Sequence, residues 1–201
     1  MTVIYGGSFD PVHNGHLNAV RAVIKQIHPE RTIIMPAFVS PFKIRTGATA
    51  SSDDRIEMCR LAFESEGAEI SDHEISEQGI SYTIDTLEYL SRLYKGERFA
   101  LMLGSDSLRS LPMWRRSKDI MQIADILAVS RTVGEDLTED AQRIRDVGGR
   151  VTVVTTEPFE ISSTQLRAML AAGEDVSALM PDSVYRYIRE KQLYSTDGSM
   201  K

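Results

Sequence analysis

Short β-prone apolar runs alternate along the chain with stretches whose apolar residues recur at helical spacing, and no other feature restricts the fold as much. The runs are Val3-Ile4-Tyr5, Thr32-Ile33-Ile34-Met35, a segment from Ala68 to Glu74, Arg98 to Leu103, Ile126 to Ser130 and Val151 to Val154. After the first run, Leu17, Val20, Val23, Ile24 and Ile27 line one helical face, with Asn18, Arg21, Lys25 and Gln26 opposite, until His28-Pro29 stops the helix. Ser52 or Asp53 is expected to cap a second helix with Ile56, Cys59, Leu61 or Ala62, and Phe63 inward; Gly67 closes it. A third buries Ile84, Leu87, Leu90 and Leu93 and ends at Gly96. Short helical pieces run through Trp114 to Ile123, and longer helices are expected over 138–147, 163–172 (before Gly173) and 181–191. Such alternation predicts an α/β fold, a parallel sheet with right-handed crossovers. The 201 residues contain no repeat, low-complexity tract or linker, so a single domain over 1–201 is expected, with the C-terminal helices from about 163 packed onto it.

In a parallel sheet the ligand crevice lies at the carboxyl ends of the strands. Four unusual loops follow predicted strands: 6–16, 36–43, 104–107 and 158–163. Topology therefore gathers these sequence-distant loops on one edge. In the first, an apolar strand stops at Gly6-Gly7, continues as Ser8-Phe9-Asp10-Pro11, and reaches His13 and His16 where a helix begins. Glycines permit close backbone approach, and a helix start presents unpaired N–H groups that suit an anion. Histidines three positions apart at that start face one way. They can hydrogen-bond phosphate oxygens, cap the helix, or ligate a metal, though zinc normally requires further Cys or His ligands nearby. Gly6, Gly7, Ser8 and Phe9 with His13 and His16 read as a nucleotide phosphate site.

A second anion device is Ile161-Ser162-Ser163-Thr164-Gln165-Leu166-Arg167. Ser162 and Ser163 are placed to cap a helix, and Arg167 follows Ser163 by one turn, so hydroxyls, N–H groups and a guanidinium converge. Read alone, it is better explained as an ordinary cap with an exposed arginine. Lys43, after an apolar loop, is a candidate for an acceptor phosphate or a solvated lysine. Asp106, after Gly104, can accept from ribose hydroxyls or cap the next turn, and Trp114 is either core or a plate for a flat ring.

Gly-Gly-x-Phe-Asp-Pro-x-His-x-Gly-His over 6–16 resembles the signature of the nucleotidylyltransferase superfamily, and Ile161 to Arg167 resembles its second signature. Ser81-Tyr82-Thr83-Ile84-Asp85-Thr86-Leu87, Gly104-Ser105-Asp106-Ser107-Leu108 with Trp114 downstream, and Pro181 to Ile188 followed by Leu193-Tyr194 are similar to the bacterial nicotinate-nucleotide adenylyltransferase family. The resemblance spans almost the whole chain. It implies a Rossmann-like, doubly wound sheet and adenylyl transfer from ATP to nicotinate mononucleotide, with Mg²⁺ on the triphosphate. It also implies that His13, His16, Lys43 and Arg167 serve the reaction. Gly104 and Asp106 then hold ribose, Ile161, Ser162 and Ser163 the nucleotide, and Thr83 and Trp114 the nicotinate ring. One departure is Ser40-Pro41-Phe42-Lys43, where the family often has Pro-Pro-His-Lys; Arg45 stands close by to compensate. The related pantetheine-phosphate adenylyltransferases share both signatures but lack the Ser-Tyr-Thr block. A non-catalytic nucleotide sensor on this fold stays open as a different class.

Composition narrows the partners. A formal net charge of −6 lacks the basic surface of a nucleic-acid binder, and no apolar stretch is long enough for a membrane span. The lone Cys59 rules out an internal disulfide framework and reads as core. A cytoplasmic enzyme working on small molecules is expected, with a homo-oligomer left open. No nucleophile paired with an orienting base is visible.

Overall fold

The computed structural model describes residues 1–41, 47–130, 135–157 and 159–195. Its strands are β1 (Thr2–Gly7), β2 (Arg31–Pro36), β3 (Glu69–Ile70), β4 (Phe99–Gly104), β5 (Ala124–Val129) and β6 (Val151–Val154). They form one parallel sheet in the order β3-β2-β1-β4-β5-β6. The order reverses between β1 and β4, which pair Thr2 with Phe99, Val3 with Ala100 and Ile4 with Leu101. Loops leaving these two strands diverge, and the fork between them is where such sheets bind ligands.

Strand alternation assigns the faces. Val3, Ile34, Ala100, Met102, Leu127 and Val129 face one core, shared with Leu17, Val20 and Val23 of α1 (Asn14–Ile27) and Met58, Cys59, Ala62 and Phe63 of α2 (Ser52–Phe63). Ile4, Ile33, Met35, Leu101, Leu103 and Ile126 face the other. There α3 is His73–Ser76 and α4 Thr83–Leu93, with Ile84, Leu87 and Leu90 of α4 packed on the sheet. The same side carries α5 (Ser105–Ser110), α6 (Ser117–Ile123) and α7 (Thr138–Asp146) through Leu108, Ile120, Met121 and Ile144. The chain then returns to the first face, where α8 (Ser163–Ala171) and α9 (Asp182–Glu190) bury Leu166, Leu170, Val184 and Ile188 in the core around Val3. Each fully buried aliphatic side chain contributes about 1.5–3 kcal/mol of transfer free energy, so the C-terminal helices are integral to that layer.

Three local expectations change. The segment from 68 to 74 is a strand only over Glu69–Ile70, and His73 starts α3. Its ring stacks on Tyr89 of α4 at 3.5 Å, and a neighbouring Glu74 accepts from Thr86, so side-chain contacts across elements override the β-prone run. Leu93 is 56% exposed, because α4 ends there; Tyr94 packs on the core instead, with the Arg31 guanidinium 4.3 Å from its ring centre. The cap of α2 is Ser51, whose hydroxyl accepts from the Asp54 N–H. Among the described residues no helix is long and apolar enough to cross a membrane.

Candidate active site

A cleft of about 130 Å³ opens at the fork between β1 and β4. Three of the four loops singled out by sequence meet there: Tyr5, His13, Gly15 and His16 from the first, Gly104 at the end of β4, and Ile161 and Ser162 from the last. The loop after β2 lies alongside without lining the cleft among the described residues; Ala37 donates its N–H to the Gly7 carbonyl at 2.8 Å. Lys43, with Phe42 and Arg45, lies outside the described residues.

His13 is the N-cap of α1 and His16 sits in its first turn, with the rings stacked at 3.7 Å. The His13 backbone N–H donates to Nδ1 of His16 at 3.2 Å. An acceptor at Nδ1 requires the neutral ring to carry its proton on Nε2. His16 is therefore built as a fixed donor. The N–H groups of Asn14 and Gly15 find no acceptor among the described residues, as the start of a helix dictates. Gly15 is indispensable here. A Cβ would stand 2.8 Å from the Phe159 ring and 3.0 Å from Nδ1 of His13.

The glycine pair allows the close approach expected of it, but from within the strand rather than after it. Gly6 and Gly7 complete β1, and the left-handed conformation belongs to Phe9, with φ of 48°. Gly7 serves packing, since a Cβ there would lie 2.9 Å from the Phe9 ring. That ring is 1% exposed and meets Tyr5, His16 and Phe63 edge-on, so Phe9 supports the site from within the core. The Ser8 carbonyl is held from beneath by Arg55.

At the opposite wall, Ser162 caps α8 in a reciprocal box: its hydroxyl accepts from the Gln165 N–H at 3.3 Å, and its own N–H donates to the Gln165 side chain at 2.9 Å. The N–H groups of Ser163 and Thr164 find no acceptor among the described residues. Ser163 is not the cap; its hydroxyl donates to the Pro11 carbonyl at 3.0 Å. Arg167 donates to the Asp10 carbonyl at 2.7 Å. The two signatures, some 150 residues apart, thus brace each other directly.

The acceptor candidates form a second group. Trp114 packs on the core beside α4, and its indole N–H donates to the Ser110 hydroxyl at 3.0 Å. The next residues lie along the start of α4: Arg115 covers the Tyr82 ring at 4.6 Å and pairs with Asp85 at 3.4 Å, and Arg116 pairs with Glu88 at 2.8 Å. Thr83 opens α4 after the Tyr82 cap. Asp106 does not cap α5, a position that Gly104 takes; it occupies the first turn, 3.8 Å from Arg109.

Beneath Thr83, the half-buried Glu74 carboxylate accepts hydroxyl bonds from Thr86 and Ser81, while Ser81 in turn accepts the Phe38 N–H at 3.0 Å. Burial raises the Glu74 carboxyl above its ordinary 4.5, and the two hydroxyls oppose that rise only in part. A raised folded-state value means the folded protein binds this proton more tightly than the unfolded chain. The stabilisation is complete below 4.5 and is lost as pH climbs through the folded value. Glu74→Gln, which keeps an acceptor and a donor for the two hydroxyls, should therefore lose less stability than the wild type between acid and neutral pH. Urea midpoints at pH 4.5 and 7.5 check this. Parallel changes in both proteins would rule out Glu74 as the source.

Several residues of the site gave no sequence motif. Phe159 lies parallel to His13 at 5.4 Å, and Tyr5, Val129, Ser130, Thr156 and Glu157 are among the other lining residues. Arg55 is 1% exposed and donates to the carbonyls of Ser8 at 2.9 Å and Ala37 at 2.6 Å, joining the loops after β1 and β2. Its signal was present, since Arg55 shares the inward stripe with Cys59 and Ala62. Cys59 is fully buried and its thiol is pushed upward by burial, which removes it as a nucleophile. No group of three or more His, Cys, Asp or Glu side chains able to cage a metal occurs among the described residues.

Comparison with known proteins bears on the family and the fold. A cytidylyltransferase-like family model matches residues 4–169. The chain is 35% identical over 198 residues to a probable nicotinate-nucleotide adenylyltransferase of Chlorobaculum parvum, covering 96% of this chain and 98% of the relative. It is 36% identical over 196 residues to one of Symbiobacterium thermophilum, covering 95% and 93%. In fold it is similar to Plasmodium falciparum nicotinic acid mononucleotide adenylyltransferase complexed with NaAD, with a TM-score of 0.79 over 96% of each chain at 18% identity.

Proposed function

The chain belongs to the nicotinate-nucleotide adenylyltransferase family, and from that membership we propose how its own residues move the adenylyl group of ATP to nicotinate mononucleotide, with release of pyrophosphate. One observation carries the assignment of roles: two helix starts, Gly15 in the first turn of α1 and the Ser162 cap of α8, line one cleft at the switch point of the sheet. Two such termini facing each other suit a chain of phosphates.

The acceptor phosphate oxygen attacks the α-phosphorus in line, the bond from the α-phosphorus to the α,β-bridging oxygen breaks, and pyrophosphate leaves with the electron pair. Such transfer depends on alignment and charge neutralisation, not on a covalent intermediate. His16, with Nε2–H fixed as donor, meets the oxygen that gains charge at the α-phosphate. His13, the N–H groups of Ser163 and Thr164, and Arg167 hold the β,γ end. Gly104 leaves the β4 terminus open for the ribose, and Thr83 with Trp114 receives the nicotinate ring. Magnesium travels with the triphosphate, whose own oxygens supply the ligands that the described side chains do not assemble.

Pyrophosphate release from ATP, measured against a panel of nicotinate mononucleotide, nicotinamide mononucleotide and phosphopantetheine, tests the assignment. Nicotinate mononucleotide is expected to give the highest kcat/KM. Turnover with phosphopantetheine alone would move the chain to the pantetheine branch, and ATP binding without turnover would make it a sensor.

A further inference from the structure

Asp10, in the middle of the first signature, is 2% exposed and its carboxylate meets three donors. Oδ2 accepts the Thr49 N–H at 2.8 Å; Oδ1 accepts the Ala50 N–H at 3.0 Å and the Tyr194 hydroxyl at 2.8 Å. Tyr194 comes from the far end of the chain, beyond α9, and reaches Asp10 only because the backbone turns back on itself. Gln192 and Tyr194 both adopt left-handed conformations, with φ of 53° and 65°, which side-chain-bearing residues avoid unless something holds them there. Backbone bonds at the end of α9, with the Leu193 N–H on the Ile188 carbonyl at 3.0 Å, fix the first, and the hydroxyl bond to the buried carboxylate ties down the second.

The neighbour of this carboxylate is Arg167. Its Nη1 lies 3.7 Å from Oδ2, too far for a hydrogen bond, and instead donates to the Asp10 carbonyl at 2.7 Å. A carboxylate has about four acceptor sites, and the two N–H groups with the Tyr194 hydroxyl occupy three of them. We propose that Tyr194 is a positioning residue for adenylyl transfer: by satisfying Asp10 it keeps Arg167 from collapsing into a closed ion pair, so the guanidinium stays available to the triphosphate. Without the hydroxyl, a buried carboxylate short of a donor recruits the nearest cation. Arg167, whose Nη1 already donates to the Asp10 carbonyl and whose Nη2 donates to the Thr164 hydroxyl at 3.3 Å, is that cation; Arg55, the other guanidinium facing Asp10, is held away by the Ser8 and Ala37 carbonyls.

The inference rests on Arg167 holding the β,γ end of ATP, and a double-mutant cycle separates the two ideas. Tyr194→Phe keeps the ring and removes only the hydroxyl. It is expected to raise the KM for ATP about tenfold, the size of one charge-assisted hydrogen bond, while the KM for nicotinate mononucleotide stays within about twofold. In an Arg167→Ala background the same change should add nothing to the ATP KM. All four proteins are assayed well below their melting midpoints, so lost stability cannot imitate lost binding. If Arg167→Ala alone leaves the ATP KM at the wild-type value, the reading of Arg167 fails, and the proposal with it. If Arg167→Ala raises it and Tyr194→Phe does not, only the role of Tyr194 fails. A Tyr194→Phe effect that persists undiminished without Arg167, or that falls equally on both substrates, also overturns it. A purely structural tyrosine would lower the melting midpoint and move neither KM.

Discussion

His16→Ala is expected to lower kcat by about 10²–10³, the loss associated with one preorganised donor to a developing negative charge, and to leave the KM for ATP within a few-fold. The size follows from how the ring is held. Its Nδ1 is engaged by the His13 N–H at 3.2 Å, its faces are packed by His13 at 3.7 Å and met edge-on by Phe9 at 5.3 Å, and it is 9% exposed. A donor so fixed needs no reorganisation as charge grows at the α-phosphate, so its contribution is larger in the transition state than in bound ATP. The same bond to Nδ1 makes His16 part of the helix cap, and alanine would also cost about 1 kcal/mol of stability. His16→Gln separates the two effects, because glutamine at this position restores the cap acceptor. Stability should return with glutamine and most of the rate should not. A kcat within a few-fold of wild type for His16→Ala, under saturating substrates, would remove His16 from the transition state.

Much of this site is legible in the sequence because its backbone logic is local. Strand, helix start and cap each follow from a few neighbouring residues, and the parallel alternation then forces the loops at 6–16, 104–107 and 158–163 together. Placement of individual side chains depends on distant partners and was less visible. Phe9 is a core residue because Gly7 leaves room for its ring, and Ser163 leaves the capping of α8 to Ser162 and holds the Pro11 carbonyl instead. Asp10 reads as a turn residue until Tyr194, from the other end of the chain, is seen to complete its shell. Glu74 belongs to a β-prone run, yet hydroxyls from Ser81 and Thr86 draw it into a helical turn. In each case the deciding contact spans elements, and periodicity carries no record of it. Arg55 differs, since a cation on an apolar stripe is itself a sign that carbonyls wait inside.

Nicotinate mononucleotide should be preferred to nicotinamide mononucleotide by at least about tenfold in kcat/KM if the start of α4 receives the nicotinate carboxylate, as proposed above. The N–H groups of Thr83 and Ile84 have no acceptor among the described residues, whereas those of Asp85 and Thr86 already reach the Tyr82 carbonyl at 3.0 and 3.3 Å. Two aligned donors and the positive end of a helix dipole favour negative charge. Arg115 adds to this, with its guanidinium over the Tyr82 ring at 4.6 Å. Two carboxyl groups oppose this: Asp85, 52% exposed and paired with Arg115 at 3.4 Å, is screened by water and its partner, and Glu74, which burial pushes toward its neutral form, spends its acceptors on the Thr86 and Ser81 hydroxyls. An amide offers those donors one oxygen and turns an NH₂ toward the rest, leaving donors facing donors. Unpaired polar groups in a closed site cost about 1–3 kcal/mol, which sets the tenfold floor. Trp114 contributes stacking that is blind to the difference, so Trp114→Ala should weaken both acceptors to a similar degree and preserve their ratio. The measurement is kcat/KM for each acceptor at one fixed ATP concentration, in the wild type and in Trp114→Ala. Equal values for acid and amide in the wild type would falsify the carboxylate site at Thr83 while leaving adenylyl transfer intact, and a ratio that collapses only in Trp114→Ala would shift the discrimination from the helix start to the indole.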